Sequence, residues 1–280
     1  METARIMILV DNYVSPKAPR KIMAEHGLSI WIETPDGAVL FDTGSSGTAL
    51  KNNADLLGVD LSRCSAICLS HGHYDHVGGL EAALALTGAC PIHMHPLAAR
   101  AKYSGTTGRM RHADSEYFVS GAFRSVAGEI CESVAPREVI KGIWTTGEIP
   151  RRNDLEDVGG RFYLDPELTV PDTLPDDQAL FLPTTKGTIV VLGCAHAGII
   201  NTLVRVRELT DNAPICAVIG GTHLDGASGT RMAWTLAELK RLGVREIHPC
   251  HCTGIEKAVA LCNSVGGDSS PAYASFRMSY

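Results

Sequence analysis

Hydrophobic and polar positions alternate over short stretches at the start of the chain. Arg5 to Val10, Leu28 to Glu33 and Ala38 to Asp42 are brief apolar runs bounded by turns such as Thr34-Pro35-Asp36-Gly37, and they predict three strands, the last two forming a hairpin. Helical periodicity follows over 46–57 and 79–87. Between these, the run Ala66 to Leu69 predicts a strand that ends directly at His71. The second half repeats the scheme, with strands over 178–182 and 188–193, a helix over 198–209, a strand at Ile215 to Ile219 and a helix over 229–242. A strand at Glu246 to His248 and a short helix over 254–262 complete it. Strands and helices alternating in both halves predict an α/β fold of two sheets with helices on their outer faces.

Residues 100–176 break the pattern, being irregular and rich in Gly, Pro and charge, with strand-like pieces at 116–119 and 137–144. They read as a lid or substrate-recognition insertion within a single 1–280 domain. The Ser- and Gly-containing tail, 264–280, reads as a poorly packed end.

Composition narrows the partners. With 45% hydrophobic and 20% charged residues the chain is an ordinary globular one. It has no apolar run of about 18 residues, and Ile6 to Val10 is too short for a membrane span or signal peptide, so no membrane partner is expected. The nine cysteines are odd in number and several lie in apolar strand-like runs, which predicts reduced thiols and a cytoplasmic protein without a disulfide framework. A net charge of −6 argues against a nucleic-acid backbone as main partner. One local basic cluster, Arg100, Lys102, Arg109 and Arg111, contains no acidic residue. It reads either as a solvated loop or as recognition of an anionic small-molecule substrate.

The chemistry concentrates in Ser70-His71-Gly72-His73-Tyr74-Asp75-His76-Val77-Gly78-Gly79, where a strand gives way to a helix. Three imidazoles and a carboxylate crowded into a Gly-flanked loop would repel or stay unsatisfied without a common partner, and a metal supplies one. Alternation in an extended segment puts His71 and His73 on one side, while Asp75 and His76 face a neighbouring point after the chain bends, so two ions could share the loop. Imidazole and carboxylate donors suit zinc, with iron or manganese as rivals. His196 and His251 each follow an apolar strand, the position where α/β sheets gather ligands. His95, at the end of a short strand over Pro91 to Met94, reads as part of a surface turn, with substrate contact as the alternative. Cys250 and Cys252 flank His251, where thiolate ligation or redox work is open to them, but without a paired C-x-x-C they read as inert packing beside the site.

The His-x-His-x-Asp-His segment resembles the hallmark of the metallo-β-lactamase superfamily. Phe41-Asp42-Thr43-Gly44 resembles its first motif, Gly193-Cys194-Ala195-His196-Ala197-Gly198 its third, and His251 its last. Glu25-His26-Gly27-Leu28-Ser29, Thr146-Gly147-Glu148 and Asp177-Gln178-Ala179-Leu180 are similar to the branch of dihydropterin-ribofuranosyl-aminobenzene-phosphate synthase-like proteins. The resemblance implies a four-layer αβ/βα sandwich and two divalent ions, one held by His71, His73 and His196, the other by Asp75, His76 and His251. Asp42 would then support the metal loop rather than ligate. His223 stands where the superfamily usually has a bridging Asp. It is expected to bind one metal, to contact substrate, or to give way to Asp225. Asp75 and His223 are the candidate catalytic side chains.

These residues suggest a metal-dependent hydrolase using metal-activated water on a small, anionic ester or phosphoester. Two alternatives stand beside it: iron-dependent redox or oxygen chemistry on the same fold, and a non-catalytic ligand-binding protein that retains the metal site.

Overall fold

The computed structural model describes residues 3–15, 17–106 and 108–280. The first half runs β1 (Arg5–Val10), β2 (Ser29–Thr34), β3 (Gly37–Phe41), α1 (Thr48–Leu57), β4 (Cys64–Cys68), the one-turn α2 (Tyr74–Val77), α3 (Leu80–Thr87) and β5 (Ile92–Met94). The middle adds β6 (Tyr103–Thr106), β7 (Arg109–His112), α4 (Glu116–Val119), β8 (Ile130–Glu132), β9 (Arg137–Ile140), β10 (Ile143–Thr145) and β11 (Phe162–Tyr163). The second half consists of β12 (Leu180–Thr184), β13 (Gly187–Leu192), α5 (Ile199–Leu209), β14 (Ile215–Gly221), α6 (Gly229–Leu242), β15 (Ile247–Cys250), α7 (Ile255–Val265) and β16 (Arg277–Ser279).

The strands form a seven-stranded sheet, β16-β1-β2-β3-β4-β5-β8, and a six-stranded sheet, β15-β14-β13-β12-β10-β9. Period-two alternation sorts their side chains into layers. Ile30, Ile32, Val39 and Phe41 of the first sheet meet Ile189, Val191 and Ile219 of the second in one buried cluster. The intervening positions face outward: Trp31 and Leu40 pack with Leu50 of α1 and Leu80 of α3, while Val190, Leu192 and Val218 pack with Leu203 of α5, Leu239 of α6 and Leu261 of α7. Helix, sheet, sheet and helix make the four-layer αβ/βα sandwich.

The middle segment is divided. Its β8 joins the first sheet, β9 and β10 join the second, and β6, β7 and β11 make a separate three-stranded sheet. Residues 116–119, expected as strand, form the helical turn α4 instead. Phe118 there is buried against Phe123, and that local packing outweighs the β propensity of Tyr117, Phe118 and Val119. The tail also departs from expectation. Within it β16 pairs antiparallel with the edge strand β1, and Ala272 and Ala274 are buried. Edge pairing satisfies the backbone groups that β1 would otherwise expose. Among the described residues no helix is long and apolar enough to cross a membrane.

Candidate metal centre

Each donor-bearing segment begins where a strand stops. β4 ends at Cys68, ahead of the loop and α2 that carry His71, His73, Asp75 and His76. β13 ends before Cys194 and His196, β14 before His223, and β15 before His251. Because β3 is parallel to β4, and β13, β14 and β15 are mutually parallel, these ends gather on one rim. Four non-glycine residues there have positive φ: Asp42 (59°), Ala195 (54°), His223 (49°) and His251 (53°). Such backbone is uncommon away from glycine, and its concentration here marks the chain turning sharply to aim side chains at one place.

Two donor sets result. Nε2 of His71 lies 2.9 Å from Nδ1 of His73, and His196 joins them in a group whose donor atoms all lie within 4.8 Å of one another. His71 Nδ1 is engaged by the Ser70 hydroxyl at 2.9 Å, and His196 Nδ1 donates to the Val158 carbonyl at 2.7 Å. That leaves Nε2 of each ring for the centre, and His196 Nε2 is buried without a hydrogen-bond partner. In the second set, His76 Nε2 is 3.2 Å from His251 Nε2, and Asp75 Oδ2 is 3.5 Å from His251 and 3.9 Å from His76. Zinc–nitrogen bonds of about 2.0–2.1 Å place the corners of a tetrahedron about 3.3 Å apart. Both sets therefore fit a divalent ion, and the orphaned imidazole nitrogen is the kind of buried group that an ion would satisfy.

The rings are held from behind. Asp42, fully buried just past the end of β3, accepts hydrogen bonds from the Ser70 amide and hydroxyl, each at 2.7 Å, and its Oδ2 lies 2.6 Å from His76 Nδ1. Asn12 Oδ1 lies 2.9 Å from His251 Nδ1, and the Asp11 carboxylate accepts from the His251 amide at 3.2 Å. Such partners fix ring orientation and tautomer. Burial pushes the pKa of His71 and His196 well below the usual histidine range and that of His73 down to about 3, keeping these imidazoles neutral with lone pairs available. Asp75 is different. Burial raises its pKa, but the neighbouring His76 and His251 outweigh this and hold it below the usual carboxylate range.

The middle segment is built into this arrangement through Val158 and its neighbours. Glu156 accepts hydrogen bonds from the amides of Ile200 (2.7 Å) and Asn201 (2.9 Å) at the first turn of α5, just beyond His196. Gly198 has a φ of 102°, and a side chain there would run into the Glu156 carboxylate. Arg151 donates to the His196 carbonyl at 3.0 Å. The Phe162 ring lies 4.6 Å from His73 and 5.3 Å from His196, walling one side of the first donor set.

The basic cluster needs correction at one member. Lys102 is 1% exposed, and its ammonium donates to Asp172 at 3.1 Å and Asp176 at 3.0 Å. Asp176 in turn accepts from the Gly72 amide at 2.9 Å, so Lys102 braces the His71–His76 loop. Arg100, Arg109 and Arg111 remain exposed. His95, expected in a surface turn, is also buried.

His223 stands beside the first set, its ring centroid 4.3 Å from that of His196. It groups with Cys194 and Cys252. Asp225 is exposed and packs against Gly254, and among the described residues it joins no candidate donor group. At the outer rim, the exposed His26 lies 3.0 Å from the Tyr74 hydroxyl and 3.6 Å from Asp75 Oδ2.

Asn12, Val158, Phe162, Tyr74 and the sulfur of Cys194 are the groups that sequence reasoning missed. The polar pair Asp11-Asn12 directly after an apolar strand was a usable signal. Val158 acts through its carbonyl, which no residue type advertises.

A profile described as the metallo-β-lactamase superfamily matches residues 23–251. The chain belongs to the metallo-β-lactamase superfamily. Within it, the chain is 29% identical over 273 residues to 7,8-dihydropterin-6-methyl-4-(β-D-ribofuranosyl)-aminobenzene-5'-phosphate synthase of Methanocaldococcus jannaschii, covering 91% of this chain and 90% of that protein. A crystal structure of a metal-dependent hydrolase of the β-lactamase superfamily matches with a TM-score of 0.82 at 30% identity, over 98% of both chains. A metallo-β-lactamase fold protein from Bacillus subtilis shares the fold, with a TM-score of 0.58 at 12% identity over the whole of both chains.

Proposed function

We propose that this superfamily member is a metal-dependent hydrolase acting on a small, anionic ester or phosphoester. The observation that carries the reading is the pair of adjoining, buried donor sets, His71/His73/His196 and Asp75/His76/His251, in each of which the donor atoms all lie within 4.8 Å of one another. Divalent ions held there would supply Lewis acidity and bring the pKa of water from about 15.7 towards about 7. The protein's own groups do the rest. Asp42, Asn12 and Val158 fix the rings, Phe162 excludes water from one flank, and His26 with Tyr74 stands where a substrate or a proton would enter beside Asp75. Zinc suits these donors, with iron or manganese as alternatives. Arg109 and Arg111, exposed on β7, would attract an anionic substrate.

A second reading, a synthase acting on a pterin or ribosyl phosphate, is favoured by the name of the Methanocaldococcus relative and its coverage of both chains. A shared fold supports many reactions, so the name is weaker ground than the site. The test is a screen of metal-quantified protein over phosphomonoesters, phosphodiesters, lactones and thioesters, with a ribosyl 5-phosphate included. Hydrolysis that scales with bound metal is expected. Fully loaded protein that binds the ribosyl phosphate but turns over no ester would overturn the hydrolase reading. Iron as the sole tightly held metal would favour redox chemistry instead.

A further inference from the structure

Cys64 and Cys90 pack in the core between the first sheet and its helices, Cys68, Cys216 and Cys250 in the core between the sheets, and Cys262 under the helices of the second half. Cys131, on the edge strand β8, lies outside these clusters, and so do Cys194 and Cys252. Cys194 and Cys252 alone of the nine stand past the ends of β13 and β15, on the rim that carries the histidines. A thiol that packs as a small hydrophobe has apolar neighbours, and these two have polar ones. Cys194 Sγ lies 3.1 Å from His76 Nε2. The donor atoms of Cys194, Cys252 and His223 all lie within 4.8 Å of one another, and Cys194 meets the same limit with His71 and His76.

Two backbone features bring the sulfurs together. Gly221 closes β14 between the two cysteines. A Cβ at that position would sit 2.7 Å from Cys252 Sγ and 3.4 Å from the Cys194 Cα, so any side chain would force them apart. Two residues on, His223 takes its left-handed turn and lays its ring beside His196. Zinc–sulfur bonds of about 2.3 Å put two thiolates of a tetrahedral site about 3.8 Å apart, a spacing that small side-chain movements reach from these positions.

We propose that Cys194, Cys252 and His223 form a further, thiophilic metal position at the second-half side of the centre. It takes a zinc-like divalent ion through two thiolates and one imidazole. Cys194 links it to the His71/His76 side. On binding, each thiol loses its proton to solvent, and the two thiolate charges balance the ion. The position needs the superfamily fold but not hydrolysis, and the soft donors set its preference apart from that of the nitrogen and oxygen sets.

The full-length protein, loaded with Co(II) in place of its native metal, tests this by spectroscopy. Thiolate-to-Co(II) charge transfer in the near ultraviolet is expected in the unaltered protein. It should persist in His71→Ala/His73→Ala, which empties the first set, and vanish in Cys194→Ala/Cys252→Ala with loss of one metal equivalent by elemental analysis. If that double variant misfolds by circular dichroism, the same question is put to unaltered protein by thiol alkylation with mass mapping. Cys252 should be protected in the metal-loaded form and react after chelation. Absence of the band in loaded, reduced protein, an unchanged metal count in the folded double variant, or alkylation of Cys252 indifferent to metal would each overturn the proposal. So would a Cys194–Cys252 disulfide in protein purified with its metal.

Discussion

The first-half loop and the second-half strand ends contribute to the same centre by different means. Residues 71–76 deliver four donors from one short loop, and a single side chain, Asp42, orients both His76 and, through Ser70, His71. The second half delivers one histidine per strand end. Two of the three are steadied by something remote: His196 by the Val158 carbonyl 38 residues earlier, His251 by Asn12 239 residues earlier. A contiguous loop can be organised locally. Dispersed donors depend on the whole sandwich being assembled, so damage to the two regions should differ in kind.

The strongest test of that difference removes the loop's donors. A positioning partner of a metal ligand is worth about 10- to 100-fold. Two direct donors together should exceed that, so His71→Ala/His73→Ala should lower turnover by more than about 10³-fold and strip the first set of its ion, as read by elemental analysis. Next in size is the brace beneath the loop. Lys102→Met leaves Asp172 and Asp176 buried with uncompensated charge, and breaking a buried pair in this way costs about 3–5 kcal/mol, measurable by urea unfolding. Little change in unfolding would show that the loop does not lean on Lys102.

Asp42→Ala sharpens the comparison. It should weaken metal binding by about 10- to 100-fold in both sets, because it supports a ring in each, whereas Asn12→Ala should weaken only the set containing His251. Metal titration by calorimetry distinguishes one affected ion from two. Equal effects of the two variants would remove the distinction between local and dispersed support. Smallest is the exposed face of β7. Arg109→Ala and Arg111→Ala should each raise KM for an anionic substrate by up to about five-fold, the range of an exposed ion pair, and leave a neutral one unchanged.

The same contrast governs what was legible in the sequence. His71, His73, Asp75 and His76 announce themselves because chemistry-bearing residues are adjacent in the chain. The four layers follow from alternation in strands such as Ser29–Thr34 and Gly187–Leu192, where apolar residues on both faces demand cover on both sides. Lys102 looked like a free cation because its acidic partners lie 70 and 74 residues away. Cys252 read as packing beside His251 and Cys194 as a bystander in its motif, because 58 residues separate them and only the fold brings their sulfurs within 4.8 Å. The tail read as loose because 264–280 contains Ser and Gly, and its order comes from backbone pairing with β1. Phe162 carried no periodic signal, since its strand is two residues long.

Asp11 and Asn12, at the end of β1, steady His251 from 240 and 239 residues away, and β16 seals β1 from the other side, with Ala4 and Tyr280 exchanging backbone hydrogen bonds at 2.8 and 2.9 Å. For a chain leaving the ribosome, this makes the second donor set the last to be completed. The His71–His76 loop emerges early with its Asp42 support already made, but His76 waits 175 residues for His251. During that interval the loop offers an incomplete set of imidazoles to any ion present. A second set that holds an ion would therefore be complete only once His251 is in place and β16 has closed on β1.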